Sequence, residues 1–160
     1  MVISKNVLKT VKRLAKYYEI DCYAPNSIEF ITGIDVDLKI FENSLPWGRL
    51  TKDDKIDSNF VEFFINKLDW YKISMIAHLS ENFIEKNLDQ VNWSMISQHQ
   101  TLSEKFMYKH KERLDWSKIV IGQELTEDFI LKNIDKLPTH SLFCFQKLSE
   151  NFKYKHFVRG

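Results

Sequence analysis

The residues of this chain best suited to chemistry are charged, and they are evenly spaced. Lys86, Lys109, Lys132 and Lys155 lie 23 residues apart, and Glu81, Glu104, Glu127 and Glu150 keep the same step. A row of ammonium groups along one edge reads either as a solvated face or as a ridge that meets an acidic protein surface or a phosphate backbone. Carboxylates at helix N-termini would be favoured by the helix dipole. A second cationic set, Lys9, Lys12, Arg13 and Lys16, comes before the first periodic residues, with no acid ahead of Glu19. The remaining reactive groups do not converge. The five histidines are scattered, and His110 and His156 share a column two steps apart, too far to hold one metal. Cys22 and Cys144 form no redox or metal motif, and there is no phosphate-binding glycine loop, His-Glu-x-x-His or Gly-x-Ser-x-Gly. The expectation is a protein with no catalytic, cofactor-binding or metal site. Gln100, Gln123 and Gln146 form another column, suited to hydrogen bonding between units or to a ligand, with packing as the expected role.

What must position these residues is an internal repeat without insertions. Phe60, Phe83, Phe106, Phe129 and Phe152 keep the 23-residue step, as do Trp70, Trp93 and Trp116 and the column Ile56, Leu79, Leu102, Leu125 and Leu148. Such self-similarity argues for stacked units with nearest-neighbour packing. Within one copy, Ser80 is a natural N-cap with Glu81 in the first turn, and Leu79 and Ile84 form a hydrophobic staple. A second start follows twelve residues on, capped by Asn92, or by Asp69 and Asp115 in the neighbouring copies, with the staple Val91–Ile96. Each unit therefore reads as a pair of helices of about eight to ten residues joined by tight turns. A leucine-rich repeat has a similar period but needs a strand with Leu-x-Leu alternation, which no copy has. The Phe and Trp columns read as core.

Full copies begin at Ile56, Leu79, Leu102 and Leu125. The last decays at Pro138 and Thr139, which stand where a cap and a Trp would be, and Leu148 opens a partial copy. Trp47, with Leu45, Pro46 and Leu50, marks a half-copy at the front. The array is thus expected over 45–160, within a single domain. Residues 1–44 lack the repeat and are expected to cap it. In that segment Val7, Leu8, Val11, Leu14 and Ala15 fall on one face of an amphipathic helix spanning 4–18. Pro25-Asn26-Ser27 reads as a turn, and the β-branched stretch 28–41, broken at Gly33, allows a short β-hairpin.

Bulk properties narrow the function further. With 23 Lys+Arg against 22 Asp+Glu the net charge is +1, so no global field steers the chain to nucleic acid or membrane. No apolar run is long enough to span a bilayer, and residues 1–16 lack the apolar stretch and cleavage site of a secretory signal. Two distant cysteines fit reduced thiols in a cytoplasmic protein.

The segments Leu79-Ser-Glu-Asn-Phe-Ile-Glu-Lys, Asn92-Trp-Ser-Met-Ile-Ser and Leu102-Ser-Glu-Lys-Phe-Met resemble short repeats found in tandem in proteins of large DNA viruses and bacteriophages. The resemblance covers 56–152 and leaves the N-terminal segment unmatched. It implies a viral or phage origin and an interaction role, and it carries over no catalytic residue.

The sequence therefore predicts an all-α, solenoid-like array of short helix pairs with a non-repeat N-terminal cap. Its expected function is non-enzymatic binding of another protein, such as a host factor or defence effector that it would inhibit. The alternative is nucleic-acid binding through Lys9, Lys12, Arg13, Lys16 and the lysine column.

Overall fold

The computed structural model describes residues 3–22, 36 and 38–157. It is an all-α array of short helix pairs: no strand occurs among the described residues, and an isolated bridge joins Asp57 to His78, whose N–H donates to the Ile56 carbonyl at 2.8 Å. Two compact units form, Met1–Phe83 and Ile84–Gly160. The end of the non-repeat segment at residue 44 falls inside the first.

The first unit contains α1 (Lys5–Tyr17), α2 (Leu38–Ser44), α3 (Ser58–Phe63) and α4 (Trp70–Ile76), with 3-10 turns at Trp47–Arg49, Lys52–Asp54 and Ile65–Lys67. Ser4 caps α1 by accepting from the Val7 N–H at 3.3 Å. The helix buries Val7, Val11, Leu14 and Ala15, the face expected from the sequence, and packs on α3. Phe41, Phe60, Phe64 and Trp47 cluster beside it, with ring centroids 4.8–6.1 Å apart. The turn read at 25–27 and most of the hairpin read over 28–41 lie outside the described residues. The described end of that stretch, from Leu38 to Phe41, is helical rather than extended, because Phe41 is drawn into this cluster.

The helix α5 (Glu81–Lys86) leads into α6 (Trp93–His99), α7 (Glu104–Lys109), α8 (Trp116–Gly122), α9 (Glu127–Lys132), α10 (Thr139–Phe145) and α11 (Glu150–Phe157). Helix starts thus fall at Trp70, Trp93, Trp116 and Thr139, and at Glu81, Glu104, Glu127 and Glu150, each 23 residues after the last. The expected caps are made. Asp69, Asn92 and Asp115 accept from the backbone N–H three residues on at 2.8, 3.0 and 3.3 Å. Ser80, Ser103 and Thr126 do the same at 3.2, 3.1 and 3.2 Å. Pro138 caps nothing with its side chain, so α10 begins without that bond.

Two expectations need correction. The repeat helices have six or seven residues through α10, not eight to ten. The chain spends the difference on a turn after each first helix: the N–H groups of Gln90 and Val91 both donate to the Asn87 carbonyl, at 3.0 and 3.1 Å. The Trp column is also half-buried rather than core. Two indole N–H groups of the column reach this turn, Trp93 donating to Leu88 O at 2.9 Å and Trp116 to Lys111 O at 3.1 Å. Trp47 makes the equivalent bond to Glu42 O at 2.9 Å, which places the half-copy in register. One ring face stacks on the next Phe, with Trp93–Phe106 and Trp116–Phe129 centroids 6.5 and 6.2 Å apart. A cation covers the ring from the following copy, Arg113 over Trp93 and Lys136 over Trp116. The Phe column itself is buried throughout.

Gln123 and Gln146 lock successive copies within the second unit together. Gln123 Nε2 donates to the Ser97 and Gln100 carbonyls at 3.0 and 2.6 Å, and its Oε1 accepts from the Leu102 N–H at 3.1 Å. One copy later, Gln146 Nε2 donates to Val120 O and Gln123 O at 2.6 and 2.8 Å, and its Oε1 accepts from the Leu125 N–H at 3.1 Å. Beside this clamp, a Cβ on Gly122 would lie 2.1 Å from the Gln98 carbonyl oxygen, so the close approach of α8 to the preceding copy requires glycine.

Gln123→Leu would leave a buried N–H and two carbonyls without partners. It should lower stability by roughly 2–4 kcal/mol in urea unfolding, since each stranded group costs about 1–3 kcal/mol. A second expectation concerns pH. Burial works to raise the Asp115 carboxyl, but hydrogen bonds from Ser117, Ser94 and the Lys118 N–H outweigh it and hold the group below the usual carboxylate range. The folded state thus releases this proton more readily than the unfolded state does. The resulting stability is present above the unfolded carboxylate pKa and is lost as pH falls through the folded one. Asp115→Asn keeps a capping side chain without the charge. Its destabilisation should be measurable at neutral pH and shrink on acidification across the carboxylate range.

Candidate functional site

The lysine column falls where helix chemistry favours a cation. Lys86, Lys109 and Lys132 are the last residues of α5, α7 and α9, and Lys155 lies in the last turn of α11, all four exposed. Two are engaged. Lys109 Nζ sits 2.7 Å from Glu85 Oε1, and Lys132 Nζ 2.6 Å from Asp128 Oδ2, which raises the Lys132 pKa. Glu85 also meets His110 Nε2 at 2.8 Å, and hydrogen bonds from His110 and Lys109 hold its carboxyl below the usual range. His110 itself is buried between Trp93 and Phe106, with centroids 5.5 and 4.5 Å away. It is a packing residue between copies.

The glutamate column does more than favour a dipole. Glu104 Oε1 accepts from the N–H and hydroxyl of Thr126 at 3.0 and 2.7 Å, and Glu127 Oε1 accepts from the Ser149 N–H at 2.6 Å. Each thus grips the capping residue of the next copy. Ser58, in the same column of the first unit, accepts from the Ser80 N–H at 2.8 Å.

The basic residues of α1 belong to the first unit and divide in use. Lys9 and Lys16 are exposed, and Lys12 is half-buried. Arg13 donates to the Asp54 carbonyl, while the Tyr18 hydroxyl donates to the Asp54 carboxylate at 3.2 Å. Burial and that carboxylate push the Tyr18 pKa up. Arg13 is therefore part of the tie between α1 and the turn at Lys52–Asp54. The sequence could not show this, because the two lie 41 residues apart.

A column that the sequence reading passed over stands beside the lysines. Tyr108, Leu131 and Tyr154 precede Lys109, Lys132 and Lys155, keep the 23-residue step, and are all exposed. The same periodicity that revealed the core could have revealed them, since large apolar groups repeated next to a charged column have no core to fill. Together the two columns form a ridge of alternating rings, aliphatic groups and ammonium groups on α7, α9 and α11.

Among the described residues no three His, Cys, Asp or Glu groups converge on one point, and no helix is long and apolar enough to cross a membrane. His140 and Cys144 approach to 3.7 Å on α10 as an isolated exposed pair. In the first unit, an open hollow of about 460 Å³ is lined by Leu38, Lys39, Glu42, Phe63, Phe64, Asn66 and Lys67, with Lys67 paired to Glu42 at 3.2 Å. The fold and the ridge define a helical repeat protein. No family model, curated protein or solved structure matches the chain, so its function is argued from its own residues.

Because the ridge tyrosines contribute little to the core, Tyr108→Ala and Tyr154→Ala should each leave the urea midpoint nearly unchanged, within about 0.5 kcal/mol. A clear loss in either variant would show that these rings are structural.

Proposed function

We propose that this chain is a non-enzymatic protein-binding repeat module whose recognition surface is the lysine–tyrosine ridge of the second unit. The observation that carries the reading is the exposed column Tyr108, Leu131 and Tyr154 beside Lys109, Lys132 and Lys155. Exposed tyrosines with a charged flank supply contact area at low entropic cost, and tyrosine is enriched at interface centres. The partner this ridge suits has an acidic, partly apolar surface. The resemblance of the repeats to those of large DNA viruses and bacteriophages makes a host factor or defence effector the proposed target, with inhibition as the outcome.

A nucleic-acid backbone is the other polyanion that the lysines could meet. Glu85 and Asp128 already pair with Lys109 and Lys132, and Arg13 is tied to Asp54, so the exposed apolar column Tyr108, Leu131 and Tyr154, rather than the charges, favours the protein reading. Pull-down from host extract identifies the partner, and titration then tests the ridge. Lys86, Lys109 and Lys132 changed together to Glu should slow association about tenfold or more without altering the fold, since exposed charges steer encounter and contribute little to stability. Tyr108→Ala should speed dissociation. Full affinity in both variants would dismiss the ridge. Binding to nucleic acid, with a log–log salt slope that the triple variant flattens by about two to three, would establish the other reading.

A further inference from the structure

His140 and Cys144 stand one turn apart on the same face of α10, with Cys144 Sγ lying 3.7 Å from His140 Nε2. That separation has a chemical meaning. A tetrahedral zinc ion with its sulfur at about 2.3 Å and its nitrogen at about 2.0–2.1 Å holds the two donors about 3.5 Å apart. The pair thus already has nearly the bite of a tetrahedral chelate. Both side chains are exposed. The repeat does not require them, since the same two positions hold Ser94 and Gln98 on α6 and Ser117 and Ile121 on α8. Nor is their exposure owed to the end of the array. Ser117 and Ile121 are exposed with the next copy in place, Ile121 by 41%. Among the described residues no third His, Cys, Asp or Glu joins the pair. One chain therefore supplies half of a tetrahedral site.

We infer that one zinc ion joins two copies of this chain through His140 and Cys144 of each. Two imidazoles and two thiolates make the closed four-ligand set of structural zinc sites. The arrangement is self-complementary, as a two-fold contact must be. Nitrogen and sulfur donors select against magnesium and calcium, which take oxygen. Charge permits the approach. α10 reads Thr-His-Ser-Leu-Phe-Cys-Phe, with no Lys, Arg, Asp or Glu, and the whole chain carries only +1. Two thiolates balance the dication. On binding, each Cys144 thiol gives its proton to solvent as the sulfur–zinc bond forms, and each His140 gives a nitrogen lone pair, so the contact weakens on acidification. Neither residue belongs to the ridge, and the inference does not rest on the protein-binding reading.

The test is titration of the full chain with zinc chloride, under a phosphine reductant that keeps Cys144 from forming a disulfide. Metal content and light scattering are read together. One zinc should bind per two chains, and the mass should double with zinc and return on addition of EDTA. Cobalt(II) in place of zinc should give the spectrum of a tetrahedral, thiolate-ligated ion. His140→Ala and Cys144→Ser change exposed side chains, so the circular dichroism of both variants should match that of the parent chain. Each should weaken zinc binding by at least about a hundredfold, since loss of even an outer partner of a ligand costs about 10–100-fold. Each should also abolish the doubling. Zinc bound equally well by both variants overturns the inference. One zinc per chain without a change of mass also overturns it, because the site would then be complete in a single copy. So does a doubling that EDTA leaves in place, which would be association without the ion.

Discussion

The glutamine clamp is the constraint on which the second unit depends. Helices of six or seven residues are far below the length at which a helix holds itself in water, so stability must come from neighbours. Apolar burial supplies the driving force but no direction. The buried columns alone would tolerate sliding or rotation between copies. A carboxamide has two donors and an acceptor in a fixed plane, and here all three point at backbone groups around the helix end of the preceding copy. Those groups belong to a turn that helical hydrogen bonding cannot satisfy. One side chain therefore settles the orphaned backbone of one copy and the placement of the next. The bonds from Glu104 and Glu127 to the following capping residues fix a second point, and two points determine the register.

Much of this was legible in the sequence, because the constraint repeats. Caps at Asp69, Asn92 and Asp115 and at Ser80, Ser103 and Thr126 could be read from residue type and offset alone, since capping is local chemistry. What was not legible depends on partners distant in the chain. The length of each helix follows from the turn at residues 87–90, and that turn is held by an indole N–H. Hydrophobicity assigned Trp93 and Trp116 to the core, but this polar atom pins them at the boundary, with one face open to Arg113 or Lys136. Arg13 looked like part of a free basic face because the carbonyl it serves, that of Asp54, has no sequence signature. The column Tyr108, Leu131 and Tyr154 keeps the same 23-residue step, but its exposure follows from helix ends that the sequence alone does not fix.

The candidate surface of the second unit follows from the same geometry. The ridge arises where helices end toward solvent, so that each copy adds one ring or aliphatic group and one ammonium group. Its contribution scales with the number of copies engaged, and a long, flat partner would suit it.

The forward grip of Glu104 on Thr126, and of Glu127 on Ser149, also bears on how the molecule would respond to tension. Each helix pair is secured by its immediate neighbours, so a force applied at the C-terminus would release pairs one after another rather than all at once. A 23-residue repeat frees a contour of about 80 Å when it straightens. Pulled mechanically, the second unit would lengthen as a ratchet of nearly equal steps, behaving as an extensible tether more than as a rigid block.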